Sequence, residues 1–503
     1  MKKQVLIFGI LLTIFSCSTN ELIENELIEE VIDQPKELLS KSEINKIIQE
    51  SLEEKGDFKW SEQDVHTIYS ALKHSNNILT IGYGSSKSNF KKSSTSLSIK
   101  DQVLTLIRNS EKIYSKTKNQ IYVDENINVL DIKVNNKETL IALLNDSRIR
   151  YIEPSDYNFF TSNTQQRSDD LSELLLLGCG YRQANINVND YRIVAPGAKV
   201  PWSFDAHKIP QAWNYSTGSG ITVAVIDTGL SLEQKWMNQY FNDGYSSGRF
   251  VEKYGTYVDS WWYWSNNYDG VNDKCGHGTS MASVAVAPRN NDNLPLGVAY
   301  NANLVSYRAV KNVVIDDYHE KRGVSEALIA LANKSDVKVI SMSLGSPFRI
   351  GRVEDAVRYA YSKGKMIIAA GGTSTSLTTW FGVIFPAWMD ETVAVTGVKE
   401  GTYDNCDICH TGSKIDFTIQ MQRRNGTDNK IPVLSYYNGK ENYIGGSSIA
   451  TATTAGIASL IWSRHPNWSR EQVLQKMKES ADYYPNKHPE VGYGNINALK
   501  AVQ

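Results

Sequence analysis

The amino-acid sequence predicts two folded units: an α/β unit over residues 201–503, built on a mostly parallel sheet covered by helices, and before it a small α+β unit over 77–157. Two observations carry this. From Pro201 onward, short apolar runs that end in turns or small residues alternate with helical stretches, as expected of strands buried on both faces. Residues 77–157 instead give the order strand, helix, strand, strand, helix, strand. A length of 503 residues also exceeds one core, at roughly one domain per 100 to 200 residues.

In the small unit, NILTIGYG alternates like a strand and SIKDQVLTLIRNSEKIY has apolar residues at helical spacing. QIYVDENINVLDIKV supplies two strands about a turn, KETLIALLNDSR a short helix, and IRYIEP a last strand stopped by Pro154. That order is the ferredoxin-like arrangement. In the larger unit the runs ITVAVID, NLVSYRAV, VKVISMSLG, KMIIAAGG and ETVAVTGV read as parallel strands. GTSMASVAVA, VSEALIALANKS and RVEDAVRYAYSKGK read as helices, and a site is expected at the carboxyl edge of the sheet. Residues 18–76, rich in Glu, Lys and Ser, read as a polar tether with some helical tendency and little core, and 158–200 as a linker.

The first 17 residues pair two lysines with an apolar run from Val5 to Phe15, too short to span a membrane, ending at Ser16-Cys17. This is an export signal. Its end resembles a bacterial lipobox, which implies lipidation of Cys17, anchorage to a membrane, and a periplasmic or cell-surface location; a plain cleaved secretory signal is the alternative. The net charge of −2 gives no reason to expect a nucleic-acid partner. Four further cysteines, Cys179, Cys275, Cys406 and Cys409, allow up to two disulfides, with three possible pairings.

Three polar residues stand at turns beside apolar segments. Asp227 closes ITVAVID, His277 lies in Gly276-His277-Gly278-Thr279 at a helix start, and Ser448 lies in Gly446-Ser447-Ser448 before another helix. An alcohol whose proton passes to an imidazole held by a carboxylate is an activated nucleophile, and a helix amino terminus favours a developing oxyanion. The order Asp, His, Ser is the subtilisin order. On VAVIDTG, GHGT and GGSSIATATTAGIASLI the chain resembles the subtilisin family over about residues 195–503. The resemblance implies a serine endopeptidase in which Asp227 orients, His277 is base then acid, and Ser448 attacks. LIALLNDSRIRYIEPSDY resembles the end of the propeptide that precedes such domains, which implies an intramolecular inhibitor, with the maturation cut within 158–200. Ser343, Leu344 and Gly345 match the segment that pairs with substrate as an added strand. The implied partners are polypeptide substrates; no cofactor serves catalysis, and the structural calcium common in the family has no assignable ligands here.

The sequence also departs from the family. Gly372 stands where the oxyanion Asn is expected, leaving the Ser448 N–H together with a backbone N–H near Gly372 or the Thr373 hydroxyl as donors. Ala452-Thr453 replaces the usual Pro-His. Cys406-Asp407-Ile408-Cys409-His410 fits a haem-attachment pattern, with a disulfide as the default and zinc a further option. Trp261-Trp262-Tyr263-Trp264 packs an inserted hairpin or shapes the cleft rim. The competing reading is a subtilisin-fold binding or scaffold protein whose proteolysis is weak or only self-directed.

Overall fold

The computed structural model describes residues 37–84, 94–113, 120–159, 179, 183–373, 382–424 and 430–503. The export signal, Cys17 and most of the expected maturation region lie outside the described residues. Leu39–Gln503 forms one unit, separate from Met1–Leu38.

The unit begins with helix α1 (Lys41–Lys55), started by a capping box in which Ser40 and Glu43 satisfy each other's backbone N–H groups. This corrects the polar tether. Ile44, Ile48 and Leu52, spaced four apart, form a buried stripe against Phe58, Trp60, Tyr157 and Phe348. A stripe that narrow in a highly charged helix is covered in part by Tyr157 and Phe348, more than a hundred residues away, so its own segment reads as solvated. Helix α2 (Val65–Lys73) follows, started by Asp64.

The small unit then runs β1 (Ile78–Tyr83), α3 (Ser94–Glu111), β2 (Gln120–Asp124), β3 (Val129–Lys133), α4 (Lys137–Leu144) and β4 (Ile149–Pro154). Its sheet has the order β2-β3-β1-β4 with antiparallel pairs throughout, the expected ferredoxin-like arrangement. Beyond it, the end of the expected linker is folded too. Ala184 N–H donates to the Glu441 carbonyl, and β5 (Tyr191–Val194) pairs with β6 (Ala198–Pro201).

The large sheet contains β7 (Thr222–Asp227), β8 (Val251–Gly255), β9 (Asn303–Arg308), β10 (Val337–Met342), β11 (Met366–Ala370), β12 (Thr392–Lys399) and β13 (Phe417–Gln422). The order is β13-β12-β11-β10-β7-β9-β8, and every neighbouring pair is parallel. Along β7 the side chains divide between two cores. Val223 and Val225 face the one built with α5 (His277–Val286) and α8 (Ser447–Arg464), while Ala224 and Ile226 face the one built with α6 (Tyr318–Ala332) and α7 (Gly351–Ser362). The chain leaves β7 toward β8 and β9 on one side and returns to β10 on the other, so the sheet's topological switch point lies between β7 and β10. A hairpin of β14 (Ile431–Leu434) and β15 (Glu441–Ile444) precedes α8.

The small unit docks on α6 and α7 through buried charge. Arg150 binds both Asp355 oxygens at 2.6 and 2.7 Å, and Tyr151 donates to the same carboxylate at 2.8 Å. Asp131 meets Arg352 at 2.8 Å and accepts from the Tyr318 hydroxyl at 2.9 Å. Glu153 accepts from the Gly351 N–H, at the start of α7, at 2.8 Å.

Candidate active site

Asp227 ends β7 fully buried, at the switch point, where crevices form in open α/β sheets. Its Oδ1 accepts from the Thr228 N–H at 2.8 Å, and its two oxygens lie 2.8 and 3.0 Å from His277 Nδ1. Since a carboxylate only accepts, Nδ1 carries the proton and Nε2 of the neutral ring is left unprotonated. Burial alone would depress the His277 pKa, but the charge and hydrogen bond of Asp227, with a smaller contribution from Asp273, hold it above the ordinary value.

His277 opens α5, and a residue that sequence reading missed fixes that opening. Asp273, fully buried, accepts from the Thr228 hydroxyl, the Cys275 and Gly276 N–H groups, and the Thr279 N–H and hydroxyl, at 2.6 to 2.9 Å. The free N–H groups and positive dipole end of α5 therefore meet a carboxylate. Gly278 must lack a side chain, because a Cβ there would lie 2.4 Å from the Gly229 carbonyl oxygen. The available signal was an Asp four residues before the histidine, in a loop with no helical periodicity of its own.

Ser448 is the second residue of α8, after Gly446 at φ 92° and ψ 172°, and is 9% exposed. The Ser448 carbonyl accepts from Ser343 Oγ at 3.1 Å, tying the turn at Ser448 to the segment that leaves β10. Helix α8 packs on α5, but no hydrogen bond joins Ser448 Oγ to His277 in this structure; such contacts are often loose before substrate binds.

Gly372 has φ 125°, and a Cβ there would sit 2.4 Å from His410 Nδ1. An imidazole thus fills the room into which an Asn side chain would grow. His410 is held by its Nδ1–H to the Gly382 carbonyl at 2.9 Å and by its own N–H to the Gly372 carbonyl at 3.0 Å. The Gly372 N–H is itself engaged, donating to Ser447 Oγ at 3.2 Å. Of the two alternatives for an oxyanion donor, the Gly372 N–H is thus bonded within the protein. Thr373 Oγ1 stands 3.2 Å from the same Ser447 hydroxyl, against the turn that precedes Ser448.

The cysteines pair Cys179–Cys275 and Cys406–Cys409. Disulfide sulfurs cannot form the thioethers of a haem attachment, so the C-x-x-C-H segment is a structural loop. Among the described residues no three or more His, Cys, Asp or Glu side chains gather where a metal ion could be held. Trp261 and Trp262 are exposed, whereas Tyr263 donates to Asp156 of the small unit at 2.7 Å and accepts from Asn76 at 2.6 Å. The aromatic run therefore contacts the small unit through Tyr263.

Residues 218–495 match the subtilase family. The chain belongs to the subtilase family. It is 27% identical over 295 residues to thermitase of Thermoactinomyces vulgaris, covering 58% of this chain and 92% of that protein. To subtilisin E of Bacillus subtilis (strain 168) it is 30% identical over 310 residues, 60% of this chain and 71% of the relative. It is 29% identical to a thermophilic serine proteinase of Bacillus sp. (strain AK1), covering 58% of this chain and 64% of that protein. In fold, this subtilase is similar to the epidermin leader peptide processing serine protease from Staphylococcus aureus, with a TM-score of 0.58 at 18% identity over 84% of this chain and 97% of that one. Fervidolysin from Fervidobacterium pennivorans gives 0.57 at 17% identity, over 85% of this chain and 61% of that one. The shared fold thus covers more of the chain than the family match does.

Proposed function

We propose that the protein is an exported serine endopeptidase, lipid-anchored through Cys17, that is made as a precursor and hydrolyses polypeptides with Asp227, His277 and Ser448. The observation that carries this reading is the buried Asp227–His277 pair, with Nδ1–H on the carboxylate and Nε2 left to act as base. Ser448 Oγ attacks the scissile carbonyl while His277 Nε2 takes its proton; the imidazolium, stabilised by Asp227, then protonates the leaving amine. Water repeats the sequence on the acyl-enzyme. The Ser448 N–H at the start of α8 and the Thr373 hydroxyl are the proposed oxyanion donors, and Ser343–Gly345 the substrate edge. The ferredoxin-like unit is the proposed propeptide inhibitor, a role supported by its buried ionic docking on α6 and α7.

A second reading, proteolysis confined to the protein's own precursor, is favoured by one observation: His410 occupies the space of the usual oxyanion side chain. A fluorophosphonate probe with Ser448→Ala as control tests both. The protease reading expects labelling of the unaltered chain only, and an uncut precursor in the variant. Labelling with no turnover of added peptides selects the second reading, and no labelling with an uncut precursor removes both.

A further inference from the structure

The segment proposed to receive substrate already has a strand partner. Gly345 N–H donates to the Val313 carbonyl at 3.1 Å, and the Gly345 carbonyl accepts from the Ile315 N–H at 2.8 Å, a parallel bridge centred on Val314. Ser346 turns its own groups to Phe385, exchanging bonds of 2.9 and 3.0 Å. Alternate residues of an extended segment address opposite edges, so Gly345 addresses the same edge as Ser343, the residue bonded to the Ser448 carbonyl. A peptide whose residue before the scissile bond pairs at Ser343 would bring its third residue to Gly345. Both main-chain groups there are taken.

Other contacts hold this pairing. Asn312 Oδ1 accepts from the Val314 N–H at 2.8 Å, fixing the turn that enters the segment, and the Ile315 side chain is 1% exposed in the core beneath. At the far end Asp316 accepts from the Phe159 N–H at 3.2 Å, while Lys321 Nζ donates to the carbonyls of Ser155 and Tyr157 at 2.7 and 3.4 Å. The last described residues of the small unit thus grip the chain next to Val313–Ile315.

We propose that Val313–Ile315 is a specificity-determining segment that occupies the substrate-strand position beside Gly345. The enzyme then takes no main-chain contact from the third residue before the scissile bond and selects on residues nearer the cut. This rests on the reading of Ser343–Gly345 as the substrate edge of a Ser448 protease.

The test uses the full chain with one- and four-residue peptide anilides sharing the residue at the cut, and a four-residue anilide N-methylated at its third residue. Two main-chain hydrogen bonds are together worth about tenfold, so in the unaltered chain lengthening should raise kcat/KM by less than about threefold and the methyl should matter less than about twofold. Ile315→Pro removes the N–H that holds the Gly345 carbonyl and so opens the whole two-bond bridge; it should bring the gain to about tenfold and make the methyl group costly. Asn312→Ala loosens the entering turn without touching the buried Ile315 side chain; it should shift both values the same way, and stands if the proline variant does not fold. An unaltered chain that already shows about a tenfold gain, cancelled by the methyl, overturns the proposal. Hydrogen exchange reads the pairing without turnover: slow exchange at the Gly345 amide that quickens in either variant supports it, and fast exchange in the unaltered chain overturns it. Absence of fluorophosphonate labelling at Ser448 removes the underlying protease reading. Labelling together with methyl sensitivity removes only the proposal about Val313–Ile315.

Discussion

The two helix starts that carry His277 and Ser448 are held in different ways. At α5 one buried carboxylate, Asp273, gathers five donors, and Asp227 fixes the imidazole, so His277 is set by short charged bonds within the β7–α5 region. At α8 the turn that carries Ser448 is held by neutral bonds of 3.1 to 3.2 Å from two loops, one supplying Ser343 and the other Gly372 and Thr373. Hydrogen bonds to charged groups are roughly twice as strong as neutral ones. The start of α5 is therefore the more strongly bonded of the two.

The largest expected effect falls on the α8 side. Thr373→Val should lower kcat by about a hundred- to a thousandfold, roughly 3 to 4 kcal/mol, with little change in KM, if its hydroxyl serves the oxyanion. Steady-state kinetics on a peptide anilide checks this; a loss below about fivefold would assign the donor elsewhere. On the α5 side, Asp273→Ala should destabilise the fold by about 3 kcal/mol, read by denaturant unfolding, because five donors lose one buried acceptor. Gly372→Asn should lose about 1 to 3 kcal/mol through the clash with His410 and the strained φ, and His410→Gly should recover the steric share. A double-mutant cycle measures that coupling, and additive losses would contradict it.

Two pH effects are expected. With the His277 pKa held above 6.5, the acid limb of kcat/KM should fall above that pH, since only the neutral imidazole accepts the Ser448 proton. At the docking surface, burial pushes Asp355 up to about 6 despite Arg150, and Glu153 up to about 7. A carboxyl whose folded pKa is raised binds its proton more readily when docked, so its contribution is fullest near pH 4 and is lost as pH rises through 6 to 7. Dissociation of the small unit should quicken across that window, and Asp355→Asn should flatten the dependence; a stronger association at pH 8 would reverse the sign.

The strands β7, β9, β10, β11 and β12 and the helices α5 to α8 were legible because each is a continuous apolar run or a periodic stripe. β8 and β13 were not. Val251–Gly255 is a half-buried edge strand carrying Glu252 and Lys253, and Phe417–Gln422 mixes polar residues into its pattern, so neither resembles a doubly buried strand in sequence. At the site, the residues carried by short motifs could be named in advance. Ser447 and His410 could not, because their roles come from contacts 75 and 38 residues away in the chain, and Asp273 could not because it caps α5 from a loop with no periodic pattern while also reaching Thr228.

The Cys179–Cys275 bridge bears on how the protein would be recovered after processing. A backbone break upstream of Cys179 would let the preceding piece depart, yet the newly made end would stay hooked to the polypeptide two residues from His277. Breaks between the two cysteines would yield pieces that migrate as one species until a thiol reagent is added, so only a comparison of reduced and unreduced samples would count the cuts.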